Sequence, residues 1–269
     1  MDCDFRMPNR PENSHKGTFG RVLNISGSDY MTGAAYLSST AALKTGCGYV
    51  VLCSAERVIN AVAAQSSNIV FKPLSAWKNQ LQTADVLLVG CGLSTSDGAE
   101  ALFSTLPDED INIPAIIDAD GLNLLAKLCP KTLPENLILT PHPKEASRLL
   151  NVPVEDILGN MEYYAKEISK KYNCVTVLKS HHTIVCSKDL EIYVNHTGNS
   201  ALAKAGSGDV LSGMIAGLAA QGCEPYYAAK LGVYLHGLCG DLAKNDLTEY
   251  GVLASDLIRY IPSAVKTLL

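Results

Sequence analysis

Short apolar runs that suit buried β-strands alternate along the chain with longer amphipathic stretches that suit α-helices. The strand-like runs are residues 21–28, 48–54, 84–94, 174–180, 183–187 and 191–196, and the last two have the spacing of a hairpin. The helix-like stretches are residues 32–46, 55–65 and 154–172. Residues 114–125 and 136–150 each pass from a strand through a turn into a helix, and the chain is largely helical from Asp209 onward. We therefore predict an α/β fold with a mostly parallel central sheet and helices on both faces.

The length and composition of the chain fit one domain. Of its 269 residues, 47% are hydrophobic and 18% are charged, as in ordinary globular proteins. Neither a repeat nor a linker divides the sequence, so we predict a single domain over residues 1–269 that begins with a polar extension over residues 1–13. The formal charge of −5 provides no basic field for nucleic acid or anionic lipid. Any phosphate site must therefore be built locally.

The cysteines and the N-terminus indicate a reducing compartment. Nine cysteines extend from Cys3 to Cys239 without a CxxC pair or zinc-ligand spacing, which is typical of reduced thiols. The N-terminal segment lacks the apolar core of a signal peptide. No apolar run reaches the roughly 18 residues of a membrane helix. We therefore predict a cytoplasmic protein without a membrane or nucleic-acid partner.

Chemically capable residues cluster where predicted strands end. They are Gly27, Ser28, Gly90–Gly92, Asp118, Asp120, His142, Lys179 and residues 206–209. Open parallel sheets bind ligands outside the carboxyl ends of their strands, so this clustering predicts one ligand site along that edge.

A small-residue loop, Gly206-Ser207-Gly208, precedes an aspartate and a helix predicted from about Val210. Its backbone amides and the helix N-terminus would together bind an anion such as phosphate. The loop is not a Walker motif, because no GK[ST] follows, and no GxGxxG is present. Asp209 has two interpretations: a helix N-cap, or a general base that removes a proton from a hydroxyl beside the phosphate.

Three other segments are open to structural and functional interpretations. TPHPKE (140–145) is either a rigid turn, or it brings His142 to a substrate and Glu145 near a hydrated Mg²⁺. Asp118 and Asp120, which strand alternation would point the same way, either cap a helix or organise substrate or magnesium. Lys179 in VLKSHHT either lies in a solvated hairpin loop or contacts nucleotide phosphates.

Histidines elsewhere give weaker signals. His181 and His182 would face opposite sides of a strand and have no evident third ligand, so we reject a zinc site. His236 and Asp241 lie in a helical pattern rich in Gly and Leu, where ordinary helix packing explains them. A Ser–His–Asp hydrolase is poorly supported, because no GxSxG turn follows a strand.

Four ordered motifs together resemble a known family. SHKGTFGRVLNISGSDYMTGAAYLSSTAALKTGCGYV, ILTPHPKEASRLL, VLKSHHTIV and NHTGNSALAKAGSGDVLSGMIAGLAAQG are similar to segments of the ADP- or ATP-dependent NAD(P)H-hydrate dehydratases. The resemblance extends from about Ser14 to Leu268 and implies a ribokinase-like fold. It also implies a repair activity that returns the S-epimer of hydrated NAD(P)H to NAD(P)H. In that activity the C6 hydroxyl is phosphorylated and phosphate is then eliminated.

The resemblance assigns roles to residues and partners. Asp209 would be the catalytic base and a substrate contact. Further substrate contacts would be Ala35, Gly92 and His142. The nucleotide would be held by Lys179, Ser180, His181, His182, Thr183, Gly206, Ser207 and Gly208. Mg²⁺ would assist the reaction, and its ligands are left unassigned. The resemblance also implies a homo-oligomer, in this family a tetramer. We expect no epimerase domain in this chain, so a separate epimerase would act on the same substrate.

Two departures and two alternatives remain. Members commonly read KGGTGD where this chain has KAGSGD, and Ser180 stands where glycine is frequent, so the choice between ADP and ATP stays open. The first alternative is a ribokinase-like kinase of a small alcohol, such as a thiamin precursor or pyridoxal, which would release a stable phosphate ester. The second is a nucleotide-binding regulator without catalysis.

Overall fold

A nine-stranded sheet forms the centre of the molecule. The structure is a computed structural model that describes residues 5–106 and 111–269. The strands are β1 (Arg21–Ile25), β2 (Tyr49–Ser54), β3 (Val70–Pro73), β4 (Val86–Val89), β5 (Ala115–Ile117), β6 (Leu137–Leu139), β7 (Val175–Leu178), β8 (Ile184–Cys186) and β9 (Ile192–Val194). Their order is β3-β2-β1-β4-β5-β6-β7-β8-β9. The first seven are mutually parallel, whereas β8 and β9 add antiparallel pairs. The predicted mostly parallel sheet and the terminal hairpin are confirmed.

Helices connect the strands and continue to the C-terminus. They are α1 (Thr32–Thr45), α2 (Glu56–Ala63), α3 (Trp77–Leu81), α4 (Asp97–Ser104), α5 (Asp120–Leu128), α6 (Pro143–Leu150), α7 (Val154–Gly159), α8 (Met161–Tyr172), α9 (Ser207–Ala220), α10 (Pro225–Gly251) and α11 (Ala254–Lys266). Short 3₁₀ turns span Lys16–Phe19, Leu74–Ala76 and Ser200–Leu202. Thr248 interrupts α10 with a non-helical backbone, at φ 60° and ψ 162°. No helix within the described residues is long and apolar enough to cross a membrane.

Apolar layers cover both faces of the sheet. Alternate residues of β1 show the division, since Val22 packs with α1, α9, α10 and α11, whereas Leu23 packs with the layer that contains α3–α8. Both side chains are fully buried. This two-residue period, on a sheet buried on both sides, confirms the predicted helices on both faces.

Small residues bring α9 against α1. A Cβ on Gly213 would lie 2.1 Å from the backbone oxygen of Ser38, so a larger side chain cannot occupy this position without moving a helix. The apolar, small-residue composition of α9 therefore fixes its distance from α1. It also fixes where the first turn of α9 meets the carboxyl edge of the sheet.

Three details differ from the sequence prediction. The single helix predicted over residues 154–172 is divided at Asn160 into α7 and α8. Strand β3 and helices α3 and α4 were missed, and β3 lacks the apolar run of a buried strand because it is a largely exposed edge strand. The extension predicted to be polar contains Phe5, which is buried against the rings of Tyr193, Tyr227 and Tyr234. Of the nine cysteines, Cys3 lies outside the described residues and the other eight are free thiols.

Candidate active site

The glycine loop, residues 204–206, leads directly into α9, so Ser207 and Gly208 of the predicted loop already belong to the helix. Helix α9 begins at Ser207 with Gly206 as its N-cap, so the predicted start at Val210 and the N-cap interpretation of Asp209 are wrong. Gly206 has φ 90°, and a Cβ there would lie 2.6 Å from Leu37 Cδ1. The helix begins three residues earlier than the sequence suggests, because Gly206 accepts the left-handed conformation at the N-cap.

The first turn of α9 presents backbone donors. Its first intrahelical hydrogen bond runs from Val210 N to Gly206 O at 3.2 Å. The amides of Gly208 and Asp209 precede that bond and lie at the positive end of the helix dipole. Gly208 lines a large cavity, so an anion in the cavity could reach the start of this turn. The predicted anion site thus has its geometric basis at the start of α9.

The carboxylate of Asp209 lies in the same turn and is largely buried. Burial, followed by the negative charge of Asp118, raises the pKa of Asp209 to about 7, while a hydrogen bond with the Cys91 thiol and the charge of Lys179 oppose the rise. Ligand atoms of Cys91, Asp118 and Asp209 lie within 4.8 Å of one another. A carboxylate with a pKa near neutrality is suited to act as a general base.

A buried ion pair lies beneath Asp209. Lys179, which follows β7, donates to Asp118 Oδ1 at 2.7 Å, and Ser212 Oγ donates to Asp118 Oδ2 at 2.6 Å. Burial opposes ionisation of Asp118, but the Lys179 ammonium and these hydrogen bonds outweigh it and lower the pKa of Asp118. Two neighbouring carboxylates therefore have opposite tendencies, with Asp118 ionised and Asp209 poised to exchange a proton.

Asp118 and Asp120 do not share partners, contrary to the prediction from strand alternation. Asp120 Oδ2 accepts from Ser94 N at 2.8 Å, whereas Asp118 faces Lys179. Ala119, between the two aspartates, has φ 51°, so the extended alternation ends before Asp120. Asp120 is itself the first residue of α5, whose N-cap is Ala119, so the interpretation of Asp120 as a helix cap is wrong.

The TPHPKE segment forms a capping box at the start of α6. His142 Nδ1 accepts from the amides of Lys144 and Glu145 at 3.1 and 3.2 Å, and Glu145 Oε2 accepts from His142 N at 2.7 Å. Burial raises the pKa of Glu145 to about 7, although Lys179 Nζ lies 3.9 Å from its Oε2. The rigid turn thus exists, and it also places His142 on the cavity wall.

A cavity of about 880 Å³, here called the α9 cavity, opens beside the first turn of α9. It is lined by His142, Lys179, Ser180, His181, Thr183, Asn195, Thr197, Gly198, Asn199, Ser200, Leu202, Ala203, Lys204, Ser207, Gly208, Leu211, Val233, His236 and Gly237. Six of the eight residues predicted to hold nucleotide are in this set. Lys179 is among them, although its ammonium is paired with Asp118. The cavity volume suits a small-molecule ligand of nucleotide size.

The other two predicted nucleotide residues lie away from the cavity lining. Gly206 faces Leu37, and the His182 ring packs between those of His181 and His196, with centroid separations of 4.3 and 5.2 Å. The two adjacent histidines lie in a turn rather than on a strand, so the expectation that they face opposite sides is wrong.

The predicted substrate residues do not all line the same cavity. His142 lines the α9 cavity, whereas Gly92 directly follows Cys91 and is approached by Ala34 Cβ. Ala35 packs against Gly27, and both Ala35 and Gly92 are buried. Substrate contacts at Ala35 and Gly92 stay predictions.

The sequence interpretation missed two contributions to the cavity. One is the segment of residues 195–203, whose polar Asn-His-Thr-Gly-Asn run after β9 was a usable signal. The other is α10, which supplies Val233, His236 and Gly237. His236 was assigned to ordinary packing, because a sequence alone does not show that α10 crosses behind the glycine loop.

Comparisons with known proteins agree on one family. The model of the NAD(P)H-hydrate dehydratase family matches residues 22–263. The ADP-dependent (S)-NAD(P)H-hydrate dehydratase of Neisseria meningitidis is 38% identical over 92% of this chain and 86% of its own length. The Bacillus subtilis ADP/ATP-dependent NAD(P)H-hydrate dehydratase, co-crystallised with ATP and Mg²⁺, is 33% identical with a TM-score of 0.88 over 98% of this chain and 95% of that one.

Some relatives are longer. The bifunctional NAD(P)H-hydrate repair enzyme Nnr of Moorella thermoacetica is 36% identical over 99% of this chain, which spans 53% of that protein. The chain therefore covers about half the length of such bifunctional relatives. The family match, the relatives and the fold all support the resemblance stated from the motifs. The chain belongs to the NAD(P)H-hydrate dehydratase family.

Proposed function

We propose that this protein is a hydro-lyase that uses ADP or ATP to dehydrate the S-epimer of hydrated NAD(P)H and so restores NAD(P)H. The observation that carries the proposal is the Asp209 carboxylate, with a pKa near 7, beside the backbone donors at the start of α9. The donors and the carboxylate belong to the same helical turn. A phosphate bound by the donors would therefore lie next to the base.

The first half of the reaction is phosphoryl transfer. The terminal phosphate of the nucleotide binds at the amides of Gly208 and Asp209. The C6 hydroxyl of the hydrated ring approaches Asp209, which removes its proton as the oxygen attacks phosphorus. The bond between the terminal phosphorus and the bridging oxygen of the nucleotide breaks, so the shortened nucleotide leaves. The amides stabilise the charge on the transferring group.

The second half is elimination. Hydroxide is a poor leaving group, whereas phosphate is a good one. The ring-nitrogen lone pair expels phosphate from C6, and the proton lost from the neighbouring C5 passes to the departing phosphate or to water, which restores the dihydropyridine. This sequence explains why a lyase would use an anion site of the kind found in kinases.

Other residues complete the proposed site. Ser180, His181, Thr183 and Ser207 line the α9 cavity and would contact the nucleotide, while Lys179 supplies positive charge from below. Contacts from Gly206 and His182 would be indirect, because neither lines the cavity. His142 would contact the hydrated cofactor from the cavity wall, and Ala35 and Gly92 would contact it from outside the cavity lining.

Magnesium is proposed as the accompanying ion, and the carboxylate oxygens of this edge are hard donors of the type it prefers. Those of Asp118, Asp120 and Glu145 already accept hydrogen bonds from protein groups. Mg²⁺ would therefore be held mainly by nucleotide phosphates and water, and it would neutralise phosphate charge when bound.

Self-association and location belong to the same proposal. Tyr250 and Leu253 are 86% and 57% exposed where α10 meets α11, an apolar surface that supports a homo-oligomer, which the family resemblance suggests is a tetramer. A cytoplasmic location, and a separate epimerase that acts on the same substrate, stay predictions.

Incubation of the protein with hydrated NADH and either ADP or ATP tests the function. The proposal expects reduced-nicotinamide absorbance to return together with release of inorganic phosphate. A stable phosphorylated product would instead identify a kinase of a small alcohol. Tight nucleotide binding without turnover of any hydrate would identify a regulator.

A further inference from the structure

His236 of α10 contacts the first residue of α9 inside the protein. Its Nε2 lies 3.0 Å from the carbonyl oxygen of Ser207 and 3.2 Å from Ser207 Oγ. Both side chains are buried, with 8% and 6% exposure, and both residues line the α9 cavity. A polar pair in this position therefore joins α10 to the anion site.

The contact with a carbonyl determines the protonation of the imidazole. A carbonyl oxygen only accepts hydrogen bonds, so Nε2 must carry the hydrogen. Burial lowers the pKa of His236 to about 4, which keeps the ring neutral, so the hydrogen on Nε2 is the only one that the ring nitrogens carry. The Nε2–H group then cannot accept a bond from the Ser207 hydroxyl.

The consequence concerns the hydroxyl proton of Ser207. The Nε2–H group of His236 is shared between the Ser207 carbonyl oxygen and Ser207 Oγ. Toward His236, the Ser207 hydroxyl is therefore an acceptor. Its proton stays available for a different acceptor. Because Ser207 lines the α9 cavity, that acceptor would be a ligand in the cavity.

We propose that His236 is a positioning residue that directs the Ser207 hydroxyl proton into the α9 cavity, where it donates to a phosphate oxygen of the bound nucleotide. The assignment of a nucleotide to this cavity rests on the proposed function. His236 acts through Ser207 and does not itself contact the reacting atoms.

Residues of α10 next to His236 also shape the wall of the α9 cavity. A Cβ on Gly237 would lie 2.0 Å from Thr197 Oγ1, so this position requires the close approach that glycine permits. Asp241 accepts from Gly198 N at 3.0 Å and from Asn199 Nδ2 at 2.8 Å. One helix therefore fixes the 197–199 wall and the start of α9 together, which keeps His236 in register with Ser207.

A double-mutant cycle tests the proposal. The variants are His236→Phe, which removes the donor at similar volume, Ser207→Ala, and the two combined. Calorimetric titration with ADP, without the hydrated cofactor, measures affinity. We expect each single variant to bind about tenfold more weakly, as for loss of one hydrogen bond to a charged group. The double variant should be no more than about twofold weaker than either, because both changes remove the same bond.

Two further measurements separate positioning from simple packing. His236→Gln retains an N–H donor and should recover most of the lost affinity, which a purely volume-filling role would not predict. Nitrogen-15 NMR of the wild-type histidine reports the tautomer even if a variant fails to fold. A hydrogen on Nδ1 instead of Nε2, or single-variant losses that multiply to about a hundredfold in the double variant, would overturn the proposal.

The outcome for the proposed function is read independently. Wild-type protein that neither binds ADP nor turns over the hydrate would remove the basis of both proposals. Wild-type protein that does both, combined with multiplicative losses in the cycle, would refute only the role of His236.

Discussion

Replacement of Asp209 by asparagine should make the protein less active and more stable at the same time. Asparagine has nearly the same shape but cannot accept the substrate proton, so turnover should fall by about 10²–10⁴-fold. Nucleotide binding should persist, since the amides of α9 are unchanged. The loss would then appear in kcat with a smaller effect on nucleotide affinity.

The stability gain follows from the pKa of Asp209. Folding raises that pKa from 3.8 to about 7, so the folded state holds a proton that the unfolded state releases between these values. The free energy of unfolding therefore falls as pH rises through this window, and the loss is complete above about pH 7. At about 1.36 kcal/mol per pKa unit, ionisation of Asp209 lowers the free energy of unfolding by at most about 4 kcal/mol. Its partial exposure reduces this to about 2–4 kcal/mol.

Urea unfolding of both proteins at pH 8 and pH 5 measures the difference. At pH 8 the asparagine variant should be more stable by about 2–4 kcal/mol. At pH 5, where wild-type Asp209 is protonated in the folded state, the gain should shrink to less than half. A gain independent of pH would show that burial of Asp209 is not the cause. Unchanged turnover would refute its role as the base.

Three further results are expected. Wild-type kcat should fall about tenfold per pH unit below pH 7 as Asp209 becomes protonated. Glu145→Gln should leave this acidic decrease of kcat in place. If the decrease disappeared in that variant, it would be assigned to Glu145. Lys179→Met should lower the free energy of unfolding by about 3–5 kcal/mol in urea titrations, because Asp118 would be buried without its cation; a smaller loss would mean that water replaces the ammonium. Gly213→Val should cost at least about 1–3 kcal/mol by the same measurement, because the side chain would strike the backbone of α1, and a neutral effect would show that α1 and α9 separate easily.

Apolar periodicity was sufficient to predict the parallel sheet, but not the elements whose stability comes from contacts distant in sequence. Strand β3 was missed because only its edge pairing with β2 defines it. Phe5 lies in a polar stretch, and its burial depends on aromatic rings more than 180 residues away. Such positions carry no local pattern that a sequence could reveal.

The sequence indicated the parts of the candidate site that are adjacent along the chain, and missed the part that a crossing helix supplies. Gly208 and Asp209 share one helical turn, so the motif itself indicated donors beside a carboxylate. His236 was dismissed because its relation to Ser207 exists only after α10 packs behind α9. The left-handed Ala119 likewise separates Asp118 from Asp120 in a way that strand alternation does not anticipate.

The paired charge beneath Asp209 explains how one site can contain both a fixed anion and a base. Burial is the main cause of the raised pKa of Asp209, and the negative charge of Asp118, which Lys179 holds ionised, adds to it. If Asp118 were neutral, Asp209 would be a weaker base. If Lys179 were absent, both carboxylates would compete for a proton in a buried space. Burial and the ionised Asp118 thus set the basicity of Asp209, while the first turn of α9 would hold the phosphate of the proposed reaction beside it. Neither feature alone would support phosphoryl transfer to a hydroxyl near neutral pH.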